Sequence, residues 1–299
     1  MKKRFYQLTT NISKLLGTWV FVGCARIIAS GYFLFRPRLV RNSHYFYRAL
    51  YPGKSFWFHL WCAFRQFQGF TRVFLDRFIQ LEIGKITHTS VGWDGLENAV
   101  NSKEGGIILM SHMGNWEIAA HRFKETNKNF NLLLYLGQKH KEQIEKLQKD
   151  SLKEKGTKIV AVDQNGGSPF LLLESIKWMN EGGFVSLTGD IVWTKEQRVV
   201  SVDFLNQTAE IPETPHMLSL VSGKPLFVLF TIPVKKNHYH IEVSKPIYVK
   251  AKNRKDKKQA VQRSAQTYAN MLETTVKKHP FEWFHFEPFI KKKSKHESK

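Results

Sequence analysis

The segment GGIILMSHMGNWEIAAH, Gly105 to His121, decides how this chain folds. It starts with two glycines and the fully apolar run Ile107 to Met110, which predicts a buried strand. Gly114 permits a tight turn, and Asn115 is a favoured N-cap for a helix that begins at Trp116. The segment therefore predicts strand, turn and helix in succession, which is the repeating unit of an α/β fold.

The same alternation continues from about residue 86 onward. Strands are expected at 86–93, 106–111, 131–136, 158–162, 184–188, 199–204, 225–233 and 239–243. Helices are expected at 96–102, 116–125, 141–155, 169–180, 214–222 and 259–278. This order predicts an α/β domain with a mixed, mostly parallel sheet flanked by helices. We expect that domain over residues 84–290, after an N-terminal membrane-associating helical region over 1–83 and before a basic disordered tail over 291–299.

The charge is strongly basic, with 46 Lys and Arg against 25 Asp and Glu in 299 residues, a formal net charge of +21. Residues 1–83 hold 13 basic and 2 acidic residues, residues 84–234 hold 16 and 17, and residues 235–299 hold 17 and 6. The excess therefore lies in the two ends and indicates an anionic partner, a membrane surface or a nucleic acid. Because 20 of the 40 aromatic residues fall within residues 1–83, a membrane surface is favoured.

An apolar stretch near the N-terminus predicts a membrane anchor. Residues 15–35 (LLGTWVFVGCARIIASGYFLF) include 15 apolar residues in 21, interrupted by Arg26 and flanked by basic residues. The segment could span the bilayer or lie in its interface. A signal peptide cleaved near residues 29–31 and a lipoprotein signal ending at Cys24 are the alternatives. The chain has one further cysteine, Cys62, so a disulfide scaffold and a cysteine-built zinc site are not expected.

A second aromatic segment runs from Phe56 to Phe78, where aromatic side chains recur every three or four residues. This spacing predicts one face of a helix. The face could pack on the core, touch lipid or line an acyl-chain groove, and these interpretations are compatible with one another.

Polar residues follow the apolar run at 107–110, at the edge of the sheet where α/β proteins place their ligands. His112 and Glu117 are separated by a turn and a helix start, so the fold can bring the two side chains together. A neutral imidazole can take a proton from an attacking hydroxyl, and a carboxylate on its other nitrogen fixes the tautomer. The pattern therefore indicates general-base catalysis of acyl transfer, with the acceptor supplying the nucleophile.

Spacing alone does not establish such a site. His140 and Glu145 have the same separation, but they lie in a charge-rich run typical of a solvated helix face. His238 and His240 share one face of a predicted strand without a third ligand nearby, which favours ordinary solvated residues over a metal site.

The stretch SHMGNWE, Ser111 to Glu117, resembles the catalytic block H-x-G-N-W-E/D of the bacterial lipid A late acyltransferases, the lauroyl and myristoyl transferases of the lysophospholipid acyltransferase-like superfamily. The resemblance covers about residues 91–289. It continues in five further groups: Gly189-Asp190, Val202 to Leu205, Ile211-Pro212 with Thr214-Pro215, Gly223 to Pro225, and Trp283 to Phe289.

Three positions depart from the pattern of the family. Ile191 stands where many relatives have Arg, Asn206 replaces the usual Gly of F-L-G, and Thr214 replaces a Gly before proline. Arg198 could supply the missing cation, although an ordinary arginine at a strand end is an equally good interpretation. These departures leave the acceptor and the donor contacts less well defined than the His/Glu pair.

The resemblance implies a glycerolipid acyltransferase-like fold and an enzyme of lipid A and lipopolysaccharide biosynthesis at the cytoplasmic face of a bacterial inner membrane. It implies transfer of a fatty acyl chain from acyl carrier protein or a CoA thioester to a hydroxyl of an anionic membrane lipid, a lipid A precursor or a related glycolipid or lysolipid. The implied catalytic residues are His112 as general base and Glu117 as its orienting carboxylate; backbone amides at the start of the Trp116 helix, or Arg198, could steady the oxyanion. The implied substrate-binding residues are Asn115, Asp190, Arg198 and Thr214.

The enzyme interpretation requires no metal and no cofactor beyond the acyl thioester, and it includes no nucleic-acid partner. The alternative is a non-enzymatic basic protein that binds membranes or nucleic acid through its ends. Against nucleic acid stand the absence of a recognised motif and the net charge of −1, from 16 basic and 17 acidic residues, in the middle region.

Overall fold

The computed structural model describes residues 18–82, 86–126, 130–137, 158–162, 169–194 and 196–291. The start of the predicted anchor (15–17), the predicted helix at 141–155 and residues 292–299 of the predicted tail lie outside the described residues. The helices are α1 (Thr18–Phe35), α2 (Pro37–Leu50), α3 (Phe56–Glu82), α4 (Trp93–Asn101), α5 (Trp116–Thr126), α6 (Pro169–Asn180), α7 (Thr214–Ser222) and α8 (Lys257–Lys278). The strands are β1 (Thr87–Val91), β2 (Gly106–Gly114), β3 (Leu132–Gly137), β4 (Lys158–Val162), β5 (Phe184–Thr188), β6 (Val199–Phe204), β7 (Gln207–Pro212), β8 (Leu226–Lys235) and β9 (His238–Val243).

Seven of these strands form one sheet in the order β1-β9-β8-β2-β5-β3-β4. β9 pairs antiparallel with β8 and parallel with β1, and the other neighbouring pairs are parallel. The predicted α/β fold with a mixed, mostly parallel sheet is therefore confirmed. β2 lies in the middle of the sheet between β8 and β5, so its carboxyl end opens onto the centre of one sheet edge.

Helices cover both faces of the sheet because the central strand is apolar on both sides. Ile107 and Leu109 point into one buried cluster, which includes residues of α2, α3, α7 and α8. Ile108 and Met110 point into a second cluster with α4 and α5. A strand buried on both faces reads as a continuous apolar run, which is the pattern in this segment.

The strands β6 and β7 form a separate antiparallel hairpin, of which the sequence analysis predicted only β6. The two turn residues Leu205 and Asn206 both have positive φ, 52° and 57°. Asparagine tolerates this left-handed conformation better than most residues, so Asn206 can occupy the position where the family pattern has Gly. The Leu205 amide donates to the carboxylate of Glu273 on α8, which helps to hold the turn.

The N-terminal helices form a layer of their own. α1 contacts α3 through buried Phe21 and Ala29 and through Phe33, whose ring packs edge-on against Phe64 and Phe67 at 5.3 and 5.5 Å. The predicted helix over the Phe56 to Phe78 segment is confirmed as part of α3. No single helix in the described ranges has the length and apolar character to cross a membrane; α1 and α2 meet that criterion only together, with a bend of 90° between them.

This layer exposes several large apolar side chains, and clusters of such side chains are typical of surfaces that contact a partner or a membrane. On α1, four of them recur at spacings of one and seven residues and so share one helix face. They are Ile27, Ile28, Leu34 and Phe35. On α3 the exposed aromatics are Phe56, Trp57, Trp61, Phe64 and Phe74.

Candidate active site

The sheet register brings His112 and Asp190 together. Met110 of β2 pairs with Thr188, the last residue of β5, and each of the two polar residues follows two positions later along the chain. Since the strands run parallel, both side chains emerge at the same carboxyl edge. The residue before Asp190 is glycine, because a Cβ at position 189 would overlap the ring of Tyr268.

His112 and Asp190 form a close hydrogen-bonded pair. Nδ1 of His112 lies 2.9 Å from Oδ1 of Asp190, and the backbone N–H of His112 donates to Oδ2 at 2.8 Å. An ionised carboxylate only accepts hydrogen bonds, so in the neutral imidazole Nδ1 carries the proton and Nε2 is the unprotonated nitrogen that can act as a base. The His112 side chain is 21% exposed whereas that of Asp190 is fully covered, so reactants can reach the histidine alone.

Two further residues fix Asp190 from the C-terminal segment. The indole Nε1–H of Trp283 donates to Oδ2 of Asp190 at 2.8 Å. Nε2 of His285 lies 2.8 Å from the backbone carbonyl oxygen of Asp190, and the rings of Trp283 and His285 stack at 4.9 Å. Both side chains are buried. Each oxygen of the Asp190 carboxylate thus has a donor, and one oxygen has two.

The electrostatics of the pair follow from these contacts. Burial by itself would raise the pKa of Asp190, but the nearby His112, its hydrogen bonds and His285 together lower that pKa to about 2. Burial lowers the pKa of His285, and Asp190 opposes that shift. Asp190 is therefore ionised at neutral pH, as a partner for an imidazolium must be.

The C-terminal segment pairs with the end of β2. Met113 and Trp283 form an antiparallel bridge, the Phe284 amide donates to the carbonyl of His112, and the Gly114 amide donates to the carbonyl of Glu282. Gly114 has φ of 64°, and a Cβ there would overlap the carbonyl oxygen of Thr231. Gly114 was predicted to form a turn after a strand ending at 111, whereas β2 continues to Gly114, and only glycine fits this strand end without strain.

The predicted N-cap is confirmed. Oδ1 of Asn115 accepts the backbone N–H of Glu117 at 3.2 Å, and α5 begins at Trp116 as expected. Glu117 is buried in the first turn of that helix. Glu117 was predicted to be the carboxylate that orients His112. The carboxylate that contacts Nδ1 of His112 is instead that of Asp190. A catalytic role for Glu117 stays a prediction.

The remaining assignments lie in different places. Asp190 was predicted to bind substrate, but its fully covered carboxylate contacts His112 and Trp283 instead, because the parallel register sets it beside β2. Arg198 and Thr214 are neighbours at the base of the β6–β7 hairpin, where the Glu213 amide donates to the carbonyl of Arg198. Arg198 is exposed and Thr214 starts α7. Their substrate-binding roles, and that of Asn115, stay predictions.

The paired histidines of β9, which share one face of the strand, form side-chain contacts with the neighbouring strand β1. Nδ1 of His238 and Nδ1 of His240 lie 2.7 and 2.9 Å from the hydroxyls of Thr87 and Thr89 on the neighbouring strand. Within the described ranges no three His, Cys, Asp or Glu side chains lie close enough to hold a metal ion.

The sequence analysis missed the roles of Trp283 and His285. They lie 171 and 173 residues after His112, and their only local signal is the aromatic run WFHFEPF. Asp190 carried a stronger signal, since it follows a short apolar run of the sequence just as His112 does. Knowledge of the strand order would have placed the two side by side.

One comparison with known proteins identifies a family. The family model described as bacterial lipid A biosynthesis acyltransferase matches residues 74–292, almost three quarters of the chain. The match includes β1 to β9, the His112–Asp190 pair and the C-terminal segment. No curated protein matches the chain significantly.

Proposed function

Because this chain belongs to the bacterial lipid A biosynthesis acyltransferase family, and is therefore an acyltransferase that acts on lipid, we propose that it moves a fatty acyl chain from an acyl thioester to a hydroxyl of a membrane lipid. The acceptor is a lipid A precursor or a related glycolipid or lysolipid. The observation that carries the mechanism is the His112–Asp190 pair at the carboxyl edge of β2, with the imidazole partly exposed and the carboxylate covered.

His112 is the general base of the proposed reaction. Its Nε2 takes the proton from the acceptor hydroxyl as that oxygen attacks the thioester carbonyl carbon. Asp190, on Nδ1, holds the ring in the required tautomer and stabilises the imidazolium that forms. When the tetrahedral intermediate collapses, the carbon–sulfur bond breaks and the imidazolium returns the proton to the thiolate leaving group. An ester and a free thiol result, so no covalent acyl-enzyme is needed.

Residues around the turn complete the proposed site. Glu117 places a second carboxylate at the start of α5, on the element that follows His112 directly. The Glu117 amide already donates a hydrogen bond to the side chain of Asn115. We therefore assign the Trp116 amide as the donor from α5 that stabilises the oxyanion, helped by the positive end of the helix dipole. Arg198 and Thr214, at the hairpin base, are assigned to contacts with the anionic parts of donor or acceptor.

The basic charge of the chain ends and the exposed apolar side chains of α1 and α3 support the proposed substrates and the proposed location. Acyl carrier protein is acidic and the acceptor is anionic, so both suit the basic ends of the chain. The apolar face of α1 and the exposed aromatics of α3 attach the protein to the cytoplasmic face of the inner membrane. The three arginines after α1 would meet anionic headgroups; they are Arg36, Arg38 and Arg41.

Acyl transfer measured with full-length protein tests this function. Labelled acyl carrier protein and the matching acyl-CoA are each offered with three acceptors: a lipid A precursor, a glycolipid and a lysophospholipid. We expect one acceptor to be labelled, and we expect His112→Ala and Glu117→Gln to reduce the rate at least about a hundredfold. His240→Ala on β9 is the matched control and should keep wild-type activity. Full activity of His112→Ala would contradict the mechanism.

Flotation with vesicles tests the attachment. Ile27→Asp combined with Leu34→Asp should abolish binding to vesicles that contain anionic lipid, while Val221→Asp, an equally exposed apolar site on α7, should leave it unchanged. Membrane binding by a folded protein that labels no acceptor would favour the non-enzymatic alternative.

A further inference from the structure

The proposed role of Asp190 requires a fixed carboxylate, because Oδ1 must face Nδ1 of His112. Rotation of the carboxylate is prevented at Oδ2, which receives two donors at 2.8 Å, the backbone N–H of His112 and the indole N–H of Trp283. A side-chain substitution leaves the first donor in place. The second can be removed by changing one residue.

Trp283 is itself held from several sides. It is 1% exposed, and its ring packs edge-on against Phe46 of α2 at 4.9 Å and lies 5.7 Å from Phe204 of β6. The backbone carbonyl of Trp283 accepts a hydrogen bond from the side-chain amide of Gln66 on α3. The N-terminal helices therefore contribute to the direction in which the indole N–H points.

We propose that Trp283 is a positioning residue for acyl transfer, whose indole N–H holds the Asp190 carboxylate in the orientation that keeps His112 in its reactive tautomer. This inference rests on the proposed role of His112 as general base. It also gives the α2 and α3 helices a part in catalysis, because they support Trp283.

The groups that face the pair determine what removal of the N–H should do. Asp190 is faced by His112 from β2, by His285 and Trp283 from the C-terminal segment, and by Tyr268 from α8. Among these, the Trp283 N–H draws charge from the carboxylate without carrying a proton that titrates. Its loss leaves the backbone N–H of His112 as the donor to Oδ2, so the carboxylate can rotate and Oδ1 holds the proton on Nδ1 of His112 less firmly. The looser carboxylate should also lower kcat.

NMR of full-length protein with ¹⁵N-labelled histidine tests the contact directly, with the His112 signals assigned by their loss in His112→Gln. We expect Trp283→Phe to increase the fraction of neutral His112 that carries its proton on Nε2 instead of Nδ1, read from the ¹⁵N shifts of the two ring nitrogens. In acyl transfer, kcat should fall roughly tenfold while KM stays within about twofold. Trp178→Phe is the matched control, since it removes an indole N–H that donates to Asn131 elsewhere in the fold.

An unchanged ratio of the two His112 tautomers and an unchanged kcat in folded Trp283→Phe would overturn the proposal. Should that variant not fold, Trp283→β-(3-benzothienyl)alanine keeps the bicyclic ring and replaces the N–H with sulfur, and the same two results are expected. The NMR measurement needs no turnover. A changed tautomer ratio in a protein that transfers no acyl chain would therefore contradict the proposed function while supporting the role of Trp283 in positioning Asp190.

Discussion

Asp190 beside β2 and Asp76 on α3 are buried to almost the same extent, 1% and 3% exposed, yet their pKa values move in opposite directions. The pKa of Asp190 is lowered to about 2, because His112, His285 and the donated hydrogen bonds outweigh burial. The pKa of Asp76 is raised, because burial outweighs the Tyr239 hydroxyl and the more distant Arg72. Both carboxylates accept a hydrogen bond from an aromatic side chain, Trp283 in one case and Tyr239 in the other.

The difference shows that burial alone does not make a catalytic carboxylate. Asp190 has three donors on its two oxygens and an imidazole that can become charged, whereas a hydroxyl is the donor to Asp76. The low dielectric of the protein interior strengthens the interaction of each carboxylate with the charges and dipoles around it. The region around β2 and β5 is arranged for an ion pair, and the region between α3 and β9 favours a neutral acid.

The largest expected effect concerns catalysis. His112→Ala should lower the rate of acyl transfer by about a thousandfold, and adding Asp190→Asn should cost little more, since groups that act as a unit are not additive. Adding Asp76→Asn should likewise leave the residual rate unchanged. Single-turnover kinetics of the two double variants check this. A further large loss on adding Asp190→Asn would show that the two residues act separately.

The next effect concerns stability against pH. The folded pKa of Asp190 is depressed from 3.8 to about 2, so its contribution is fully present above pH 3.8 and is lost as the pH falls through about 2. Asparagine resembles the protonated acid, so Asp190→Asn should lower the free energy of unfolding by about 2 kcal/mol at pH 7. The deficit should disappear near pH 2. Urea unfolding across this pH range measures it, and a deficit independent of pH would point to packing instead.

A smaller loss is expected at the other aspartate. Tyr239→Phe removes the hydroxyl that donates to Asp76 and should lower the free energy of unfolding by about 1 kcal/mol at neutral pH. The loss should shrink in acid, where Asp76 is protonated and has less need of a donor. Equal losses at both pH values would mean that the hydroxyl serves packing alone.

The smallest effect should have the opposite sign. Because the folded pKa of Asp76 is raised, its ionised form destabilises the fold at pH values above that pKa. Asp76→Asn should therefore unfold at the same urea concentration as wild type or slightly higher at pH 7. Destabilisation as large as that of Asp190→Asn would remove the distinction between the two regions.

Much of the fold could be predicted because apolar periodicity is local. The segment at 105–121 predicted the core of β2, the Asn115 cap and the start of α5, although β2 runs three residues further than expected. β7 was missed because QTAEIP mixes polar and small residues and the turn before it contains no glycine. Its pairing with β6 and the contacts of Leu205 with α8 supply what the local sequence lacks.

The site could be predicted only in part. His112 was identified from a local pattern, but its partner Asp190 lies 78 residues later and meets it through the pairing of β2 with β5. Trp283 arrives through the C-terminal segment, after α8 has returned to the same sheet edge. Strand order and the path of a closing segment are tertiary properties, and no spacing within one element encodes them.

The most direct test compares the two aspartates in the reaction itself, by measuring kcat for acyl transfer to the preferred lipid acceptor in Asp190→Asn and Asp76→Asn. If Asp190 fixes the tautomer of His112, Asp190→Asn should lose roughly a thousandfold in kcat, while Asp76→Asn stays within about threefold of wild type. Near wild-type kcat in a folded Asp190→Asn protein would contradict the central claim that Asp190 serves His112 in catalysis.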